Sequence, residues 1–435
     1  MILEGLKNKK VLILGLGKEG IDTLKFLRRL FPKKILGVGD KRESVKRQIS
    51  NQKKIEWHLG KDYLKSIKQY DIIIKSPGIP IHLPEIERIF REKKITSQTE
   101  IFFDNCPGQI IGITGTKGKG TTASLIYRIL KYAKMRVKLV GNIGKPALSS
   151  LLQAKSGDIF IYELSSHQLY RLKKSPKIAV LLNIYPAHLE YFKDFKEYLN
   201  TKVNITRHQR KSDYLVYNPK DRIVRKIAER SKAKKIPIST KLRNNFGLIG
   251  DFNLVNLGAA ITLARLFKIT NKEIIRALKG FRSAENRLEY VGKFKGIKFY
   301  NDSASTIPES AIAAILALKE RVETLILGGS ECNLKFDTLA KIILKQRVKN
   351  LILFPDTGQE IWQTIRRQMR GKNLRSLPRY FWAKNMPEAV SLAYQHTKKG
   401  RTCLLSPASP SFTLFQDYKE RGILFKKYVK KIGSS

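Results

Sequence analysis

Gln109-Ile110-Ile111-Gly112-Ile113-Thr114-Gly115-Thr116-Lys117-Gly118-Lys119-Gly120-Thr121-Thr122 is an apolar run that breaks into glycines and opens a periodic segment, Ala123 to Tyr132. The pattern predicts strand, loop and helix, the context a phosphate-cradling loop needs. Glycines let backbone N–H groups close on phosphate oxygens, the helix N-terminus adds positive potential, and a lysine reaches the outer phosphates. Gly115, Thr116, Lys117, Gly118, Lys119, Gly120, Thr121 and Thr122 are therefore candidate ATP-binding residues, with Lys119 as the phosphate lysine. The spacing departs from the usual pattern in two places. The first glycine is Gly112, one position early, or Gly115 in a shorter loop. Gly120 also stands where a hydroxyl residue usually binds magnesium, which passes that role to Thr121.

Upstream, Val11 to Leu14 is a short apolar run followed by Gly15-Leu16-Gly17-Lys18-Glu19-Gly20 and a periodic stretch to Leu30. Asp40 follows a second run, Lys34 to Val38, and Asp71 to Ile74 is a third, closed by Ser76-Pro77-Gly78. Such a glycine turn suits nucleotide phosphates with a carboxylate about 20 residues on for a ribose or base, and equally suits a plain structural turn. Downstream, strands are expected at Val137–Val140, Ile159–Leu164, Ile178–Leu182 and Tyr214–Tyr217, with a helix from Asn253 to Leu266 ending the unit. Beyond Arg287, runs at Gly296–Tyr300, Thr324–Leu327, Val348–Leu353 and Thr402–Leu405 alternate with helices such as Glu309–Lys319. Alternation of this kind predicts parallel, doubly wound α/β units. The expected boundaries are 1–106, 107–284 and 285–435, with Asp104 to Gly108 as the first linker.

The chain has 435 residues, 42% of them hydrophobic, enough for roughly three domains with cores of their own. Three cysteines without metal or disulfide spacing fit a reducing cytosol. The polar start, Met1 to Lys10, carries no signal-peptide pattern, and no apolar run approaches the roughly 18 residues of a membrane span. A net charge of +49 raises nucleic acid as a partner. The basic residues form only short runs, such as Lys232-Ala233-Lys234-Lys235, with no nucleic-acid motif, so solvated lysines are expected rather than a specific nucleic-acid site.

Four further segments carry a resemblance. They are Gly141-Asn142-Ile143-Gly144-Lys145-Pro146-Ala147, Tyr162-Glu163-Leu164-Ser165-Ser166-His167-Gln168-Leu169, Leu182 to Glu190 with His188, and Leu405-Ser406-Pro407-Ala408 running on to Glu420-Arg421-Gly422. With the ATP loop they resemble, in order and along essentially the whole chain, the Mur ligases that build the peptide stem of peptidoglycan, and among them the glutamate-adding member. The resemblance implies an α/β protein of three domains: a Rossmann-like N-terminal domain for a UDP-sugar, a central P-loop ATPase-type domain, and a Rossmann-like C-terminal domain for the amino acid. It implies that ATP phosphorylates the carboxylate of UDP-N-acetylmuramoyl-L-alanine and that glutamate attacks the acyl phosphate, in a cytoplasmic monomer.

The same resemblance suggests residue roles. Lys119, His188 and Lys202 would be catalytic, Lys202 as a carbamate, and Thr121, Glu163, His188 and Lys202 would hold magnesium, two ions in all. Gly15, Gly17, Asp40, Lys41, Arg42, Ser76 and Gly78 would line the uridine–diphosphate pocket, and Asn142 would touch the muramoyl group. Asn253 and Asn256 would lie near ATP, with helix capping as the plain alternative. Arg287 and Asp302 would join the nucleotide site after domain closure. Without the resemblance, Glu163 could be a salt-bridged carboxylate, His188 a structural histidine and Lys202 a surface lysine. Thr306, Ser411, Phe412 and Tyr418 are acceptor candidates. That pocket departs from the family: Ala304 stands where lysine is common, and the lysine after Gly328-Gly329 is displaced to Lys335. The departures leave D- and L-glutamate both open, with D-glutamate expected, and a folate-type polyglutamylating ligase as an alternative.

Overall fold

The apolar runs of the sequence become the inner strands of three separate sheets. The computed structural model describes residues 2–49, 53–188, 191–240, 246, 248, 250–281, 285–318, 321–331, 334–370 and 377–434. Leu189 and Glu190 of the histidine segment, Ala284 at the second expected boundary, Lys319 at the end of one expected helix, and Cys332 and Asn333 after the paired glycines lie outside the described residues.

The first sheet holds β1 (Val11–Leu14), β2 (Leu36–Asp40), β3 (Ile55–Leu59), β4 (Ile72–Lys75) and β5 (Ile95–Thr96), in the order β3-β2-β1-β4-β5, all parallel. Strand order reverses between β1 and β4, which opens a crevice at their carboxyl ends. The second sheet holds β6 (Gln109–Thr114), β7 (Val137–Gly141), β8 (Ile159–Glu163), β9 (Ile178–Leu181), β10 (Tyr214–Tyr217) and β11 (Lys234–Pro237). Its order is β11-β10-β9-β6-β8-β7, again all parallel. The third holds β12 (Glu289–Phe294), β13 (Ile297–Asn301), β14 (Val322–Gly329), β15 (Asn350–Asp356), β16 (Arg379–Trp382) and β17 (Thr402–Leu405), in the order β12-β13-β17-β14-β15-β16. Among the described residues of this sheet only β12 and β13 pair antiparallel, as an edge hairpin.

These sheets fall into two compact units. Residues 1–241 and 255–279 form the first, which carries the first two sheets; residues 242–254 and 280–435 form the second. At the expected linker, Asp104 to Gly108, the helix Gln98–Asn105 supplies the first two residues, and Asp104 is ion-paired with Lys174. Phe102 of that helix meets Phe160 and Tyr162 of β8 edge to face, both at 5.2 Å between ring centroids. The apolar face of the helix thus joins the first core to the second instead of separating them. The helix Asp251–Leu266 does not end the first unit either, because Asn271–Leu278 follows and packs on the helix Lys119–Tyr132. In the second unit the third sheet buries one core on each face, around Leu325 and Leu351 on one side and Ile326 and Phe299 on the other.

Candidate functional site

β6 delivers the chain into the loop Gly115–Gly118, and the helix Lys119–Tyr132 leaves it. Gly118 caps that helix in the left-handed region, φ +84°, where side-chain-bearing residues are strained. A Cβ there would come within 2.1 Å of Asn256 Oδ1. Asn256 is therefore packed against the loop, and both Asn253 and Asn256 lie within the helix Asp251–Leu266. Asn183 fastens the other side. Its Oδ1 accepts the Lys117 N–H at 2.8 Å, its Nδ2 donates to the Lys117 carbonyl at 3.0 Å, and its carbonyl accepts the Thr116 N–H at 2.8 Å.

Two lysines converge on this loop. Lys119 Nζ donates to the carbonyls of Gly115 at 2.9 Å and Thr116 at 3.1 Å. Lys202, on the helix Phe195–Arg207, is fully buried, and its Nζ donates to the Gly115 carbonyl at 3.1 Å and to Thr114 Oγ1 at 3.3 Å. Burial first, then the neighbouring Lys119 charge, hold the Lys202 amine well below the ordinary lysine range, with Glu163 opposing. The sequence alternative of a surface lysine is thereby overturned. Glu163 is buried at the end of β8, in register with Ile113 of β6, and its Oε2 lies 3.3 Å from where a Cβ on Gly120 would stand.

His188 is exposed, its ring 4.9 Å from His167 and 6.4 Å from Tyr198. Tyr198 is the shared neighbour that sequence reasoning missed. Its ring lies under Lys202 Nζ at 5.1 Å and its hydroxyl bonds Thr116 Oγ1 at 2.8 Å. The helical spacing Tyr198–Lys202, one turn apart, was the available signal.

Among the described residues no set of three His, Cys, Asp or Glu side chains is placed to hold a metal ion. That still suits magnesium at a nucleotide, which takes one or two protein oxygens and fills its octahedron with phosphate oxygens and water. Glu163 offers a buried carboxylate beside the first helical turn, Thr121 is buried in that turn, and the buried Thr122 hydroxyl has no hydrogen-bond partner among the described residues. The donor set fits a hard cation bound together with phosphate.

The crevice of the first sheet gathers a second group. Gly15, φ +91°, accepts the Ser76 hydroxyl on its carbonyl at 2.6 Å. A Cβ on Gly20 would fall 2.0 Å from that same carbonyl, so strand and helix meet closely there. Asp40 accepts the N–H groups of Leu16 and Arg42, both at 2.8 Å, and the Arg42 guanidinium at 3.3 Å. Burial alone would raise this carboxyl; those donors outweigh it and hold it below the usual range. Gly17 and Gly78 differ, since an added Cβ would meet nothing within 4 Å, so both border open space. Asn142 is exposed in the loop after β7. A cavity of 140 Å³ lies nearby, lined by Glu19, Lys75, His167, Gln168, Tyr170 and others.

Arg287, Asp302, Thr306, Ser411, Phe412 and Tyr418 all belong to the second unit, as does Asn253. Asp302 braces its own surroundings, accepting Leu288 N–H at 3.0 Å and the Ser406 hydroxyl at 2.8 Å. Arg287 and Lys335 are exposed, and Phe412 is 73% exposed, whereas Ser411 is buried. Arg421, fully buried and unassigned by sequence reasoning, holds this region together. Its guanidinium donates to Ser303 Oγ, the Ser303 carbonyl and the Ser409 carbonyl at 3.0, 2.9 and 3.1 Å. Ser303 in turn donates to the Tyr418 carbonyl at 2.8 Å.

Comparison with known proteins gives three family matches in chain order. Residues 9–96 match the Mur ligase MurD-like N-terminal domain, 113–246 the Mur ligase middle domain, and 286–409 the Mur ligase glutamate ligase domain. A protein of Acetivibrio thermocellus named UDP-N-acetylmuramoylalanine–D-glutamate ligase is 33% identical over 98% of this chain and 97% of its own. One of the same name from Thermoanaerobacter pseudethanolicus is 34% identical over 98% and 99%. Among solved structures, Thermotoga maritima MurF with ADP superposes with a TM-score of 0.61 at 18% identity, covering 97% of this chain and 95% of that one. The UDP-N-acetylmuramate–alanine ligase MurC of the same organism gives 0.60 at 16% identity, covering 98% and 100%. These last two likenesses speak to the fold alone.

Proposed function

The chain belongs to the Mur ligase family, and from that membership we propose that it joins D-glutamate to UDP-N-acetylmuramoyl-L-alanine with cleavage of ATP to ADP and phosphate. The relatives' names support D-glutamate over the L-isomer and over folate-type polyglutamylation. The observation that carries the reading is the meeting of Lys119 and Lys202 on the Gly115 carbonyl, with Glu163 against Gly120.

Three domains would share the work along the expected boundaries. Gly15, Gly17, Asp40, Arg42, Ser76 and Gly78 would receive the uridine diphosphate, the open edges at Gly17 and Gly78 leaving room for it. Asp40 would act mainly by holding the loop, since its oxygens already accept from Leu16 and Arg42. Asn142 would touch the muramoyl group. Backbone N–H groups of Gly115 to Thr122 would cradle the ATP phosphates, with Asn253 and Asn256 beside the nucleotide. Lys119 would swing from the loop carbonyls onto the outer phosphates as the substrate carboxylate attacks the terminal phosphorus. The acyl phosphate so formed loses phosphate when the amine of glutamate adds to its carbonyl carbon, and a base takes the amine proton. Thr306, Ser411, Phe412 and Tyr418 would present the glutamate, and Arg287 and Asp302 would complete the nucleotide contacts.

Glu163, Thr121 and His188 would hold magnesium, which when bound neutralises charge on the phosphate oxygens. Burial shifts the Lys202 amine toward the neutral form, the form that would combine with carbon dioxide, releasing a proton and leaving a carbamate that would add an anionic ligand. We read the enzyme as a cytosolic monomer; no described helix is long and apolar enough to cross a membrane.

Purified protein with magnesium should release ADP and phosphate only when UDP-N-acetylmuramoyl-L-alanine and glutamate are both present. Release that ignores either substrate sinks the proposal, and incorporation of L- but not D-glutamate corrects the acceptor. Lys119→Ala should abolish acyl-phosphate formation while UDP-sugar binding persists. Lys202→Ala should regain activity with short-chain carboxylic acids, and no regain removes the carbamate.

A further inference from the structure

Glu19 stands in the first turn of the helix Lys18–Leu30, two residues after the open edge at Gly17. Its Oε1 accepts Gln168 Nε2 at 2.7 Å. The other end of that amide is committed too: Gln168 Oε1 accepts the Ser165 N–H at 2.8 Å, while the Gln168 N–H donates to Ser165 Oγ at 3.2 Å. With both ends bonded, the amide has one orientation, which Glu19 and the Ser165 N–H fix together. Ser165 lies two residues past Glu163. Leu164, between them, is bonded to the ATP-loop strand through its N–H to the Ile113 carbonyl at 2.9 Å and its carbonyl from Thr114 Oγ1 at 2.8 Å. Glu163 is thus fixed on one side by the strand and on the other by a path that ends in the glycine loop of the first sheet.

One turn along the same helix face, Asp22 makes a parallel connection. It accepts from Leu148 N–H at 3.1 Å, Ser149 N–H at 3.3 Å, the Ser149 hydroxyl, and Gln98 Nε2 at 2.9 Å. That contact anchors the helix after the Asn142 loop through Ser149 and Leu148, whereas the side-chain bond to Gln168 comes from Glu19.

We propose that Glu19 is a positioning residue which, through Gln168 and Ser165, aims the Glu163 carboxylate at the magnesium–ATP site and ties that aim to the UDP-sugar loop. The inference rests on the ligase reading for the identity of the two substrates and for magnesium at Glu163. Groups that orient a metal ligand from outside typically cost 10–100-fold in metal affinity or activity when removed.

The experiment compares wild type, Glu19→Ala, Glu19→Gln and Asp22→Ala in full-length protein. Calorimetry measures binding of the non-hydrolysable ATP analogue AMPPNP across a magnesium series, and separate titrations measure magnesium-free binding of UDP-N-acetylmuramoyl-L-alanine and thermal stability. Glu19→Ala should raise the magnesium needed for half-maximal AMPPNP binding by about tenfold. Its magnesium-free UDP-sugar binding should stay within about twofold, a difference no larger than one peripheral contact makes. Glu19→Gln keeps an oxygen for the Gln168 N–H and should bind magnesium–AMPPNP like wild type. Asp22→Ala should lower the melting temperature without moving the magnesium requirement. An unchanged magnesium requirement in Glu19→Ala overturns the proposal, and so does a Glu19→Gln protein as impaired as the alanine variant. Because AMPPNP binding involves neither turnover nor glutamate, loss of the ligase reading through absent ADP release leaves this outcome readable by itself.

Discussion

At Gly118 the backbone itself is the functional device. A left-handed residue with a side chain costs roughly 1–2 kcal/mol, and here a Cβ would also displace the Asn256 amide 2.1 Å away. Gly118→Ala should therefore lower the melting temperature and raise KM for ATP together, measured by calorimetry and steady-state kinetics; a change in stability alone would detach the loop from ATP. Gly120 poses the opposite question, because the hydroxyl expected there is missing and Glu163 Oε2 stands 3.3 Å from the vacant Cβ position. A serine fits if the carboxylate yields by a few tenths of an ångström. Gly120→Ser should then reduce the magnesium needed for half-maximal ADP release, and an increase would mean that the glycine is required to make room for Glu163. Glu19 adds a pH signature. Burial chiefly, with Asp22 adding to it, pushes its carboxyl up to about 7 against the opposing Gln168 bond and the Lys75 and Lys18 charges. A raised folded-state value means the stability it contributes is complete below about 4.5 and lost as pH rises through about 7. The melting temperature of Glu19→Gln minus that of wild type should consequently grow between pH 5 and 8, and a flat difference would contradict it. Lys119 and Gly118 were readable from sequence because a phosphate loop is made by neighbours in the chain. Asn183, Tyr198 and Arg421 were not, since their partners lie on other elements and only folding brings them together.

The helix Phe195–Arg207 exists to present Lys202, and its start is specified locally. Asp194 caps it by accepting the Glu197 N–H at 2.7 Å, and Tyr198, Thr201, Lys202 and Ile205 form its buried face. Loss of such a cap costs about 0.5–2 kcal/mol. Asp194→Ala should lower the melting temperature accordingly and weaken turnover through Lys202, whereas a stability loss with unaltered turnover would show that the first helical turn does not position the lysine. Elements of this kind were legible when their apolar pattern was uninterrupted: β1, β6, β8, β9 and β17 fell where the runs predicted. The strands β11 and β16 escaped because they are edge strands, Lys-Lys-Ile-Pro and Arg-Tyr-Phe-Trp, largely exposed and without the buried alternation that marks a strand. β12 escaped for another reason. Its register shifts between Tyr290 and Gly292, which breaks the two-residue period that sequence reading depends on.

For the whole molecule the governing quantity is the net charge of +49, carried by 85 Lys and Arg against 36 Asp and Glu. Both proposed phosphate-bearing substrates are polyanions, so the field draws them in from solution, and the attraction weakens as salt shortens the Debye length from roughly 10 Å at 0.1 M to roughly 3 Å at 1 M. Buried contacts at the sites themselves, such as Lys202 on Gly115, are screened far less. Salt should accordingly act on capture and not on chemistry. Raising sodium chloride should lower kcat/KM for ATP and for UDP-N-acetylmuramoyl-L-alanine several-fold, while kcat at saturation stays nearly constant. Glutamate, with a single net negative charge, should show the weaker salt dependence of the three. Duplex DNA supplies the contrast: diffuse surface charge predicts retention at low salt that vanishes near physiological ionic strength and leaves ATP turnover unaffected. DNA binding that survives physiological salt and displaces ATP would instead mean that the basic surface is organised around a nucleic-acid partner. A kcat that falls in step with kcat/KM would show that the charge acts within the catalytic steps themselves.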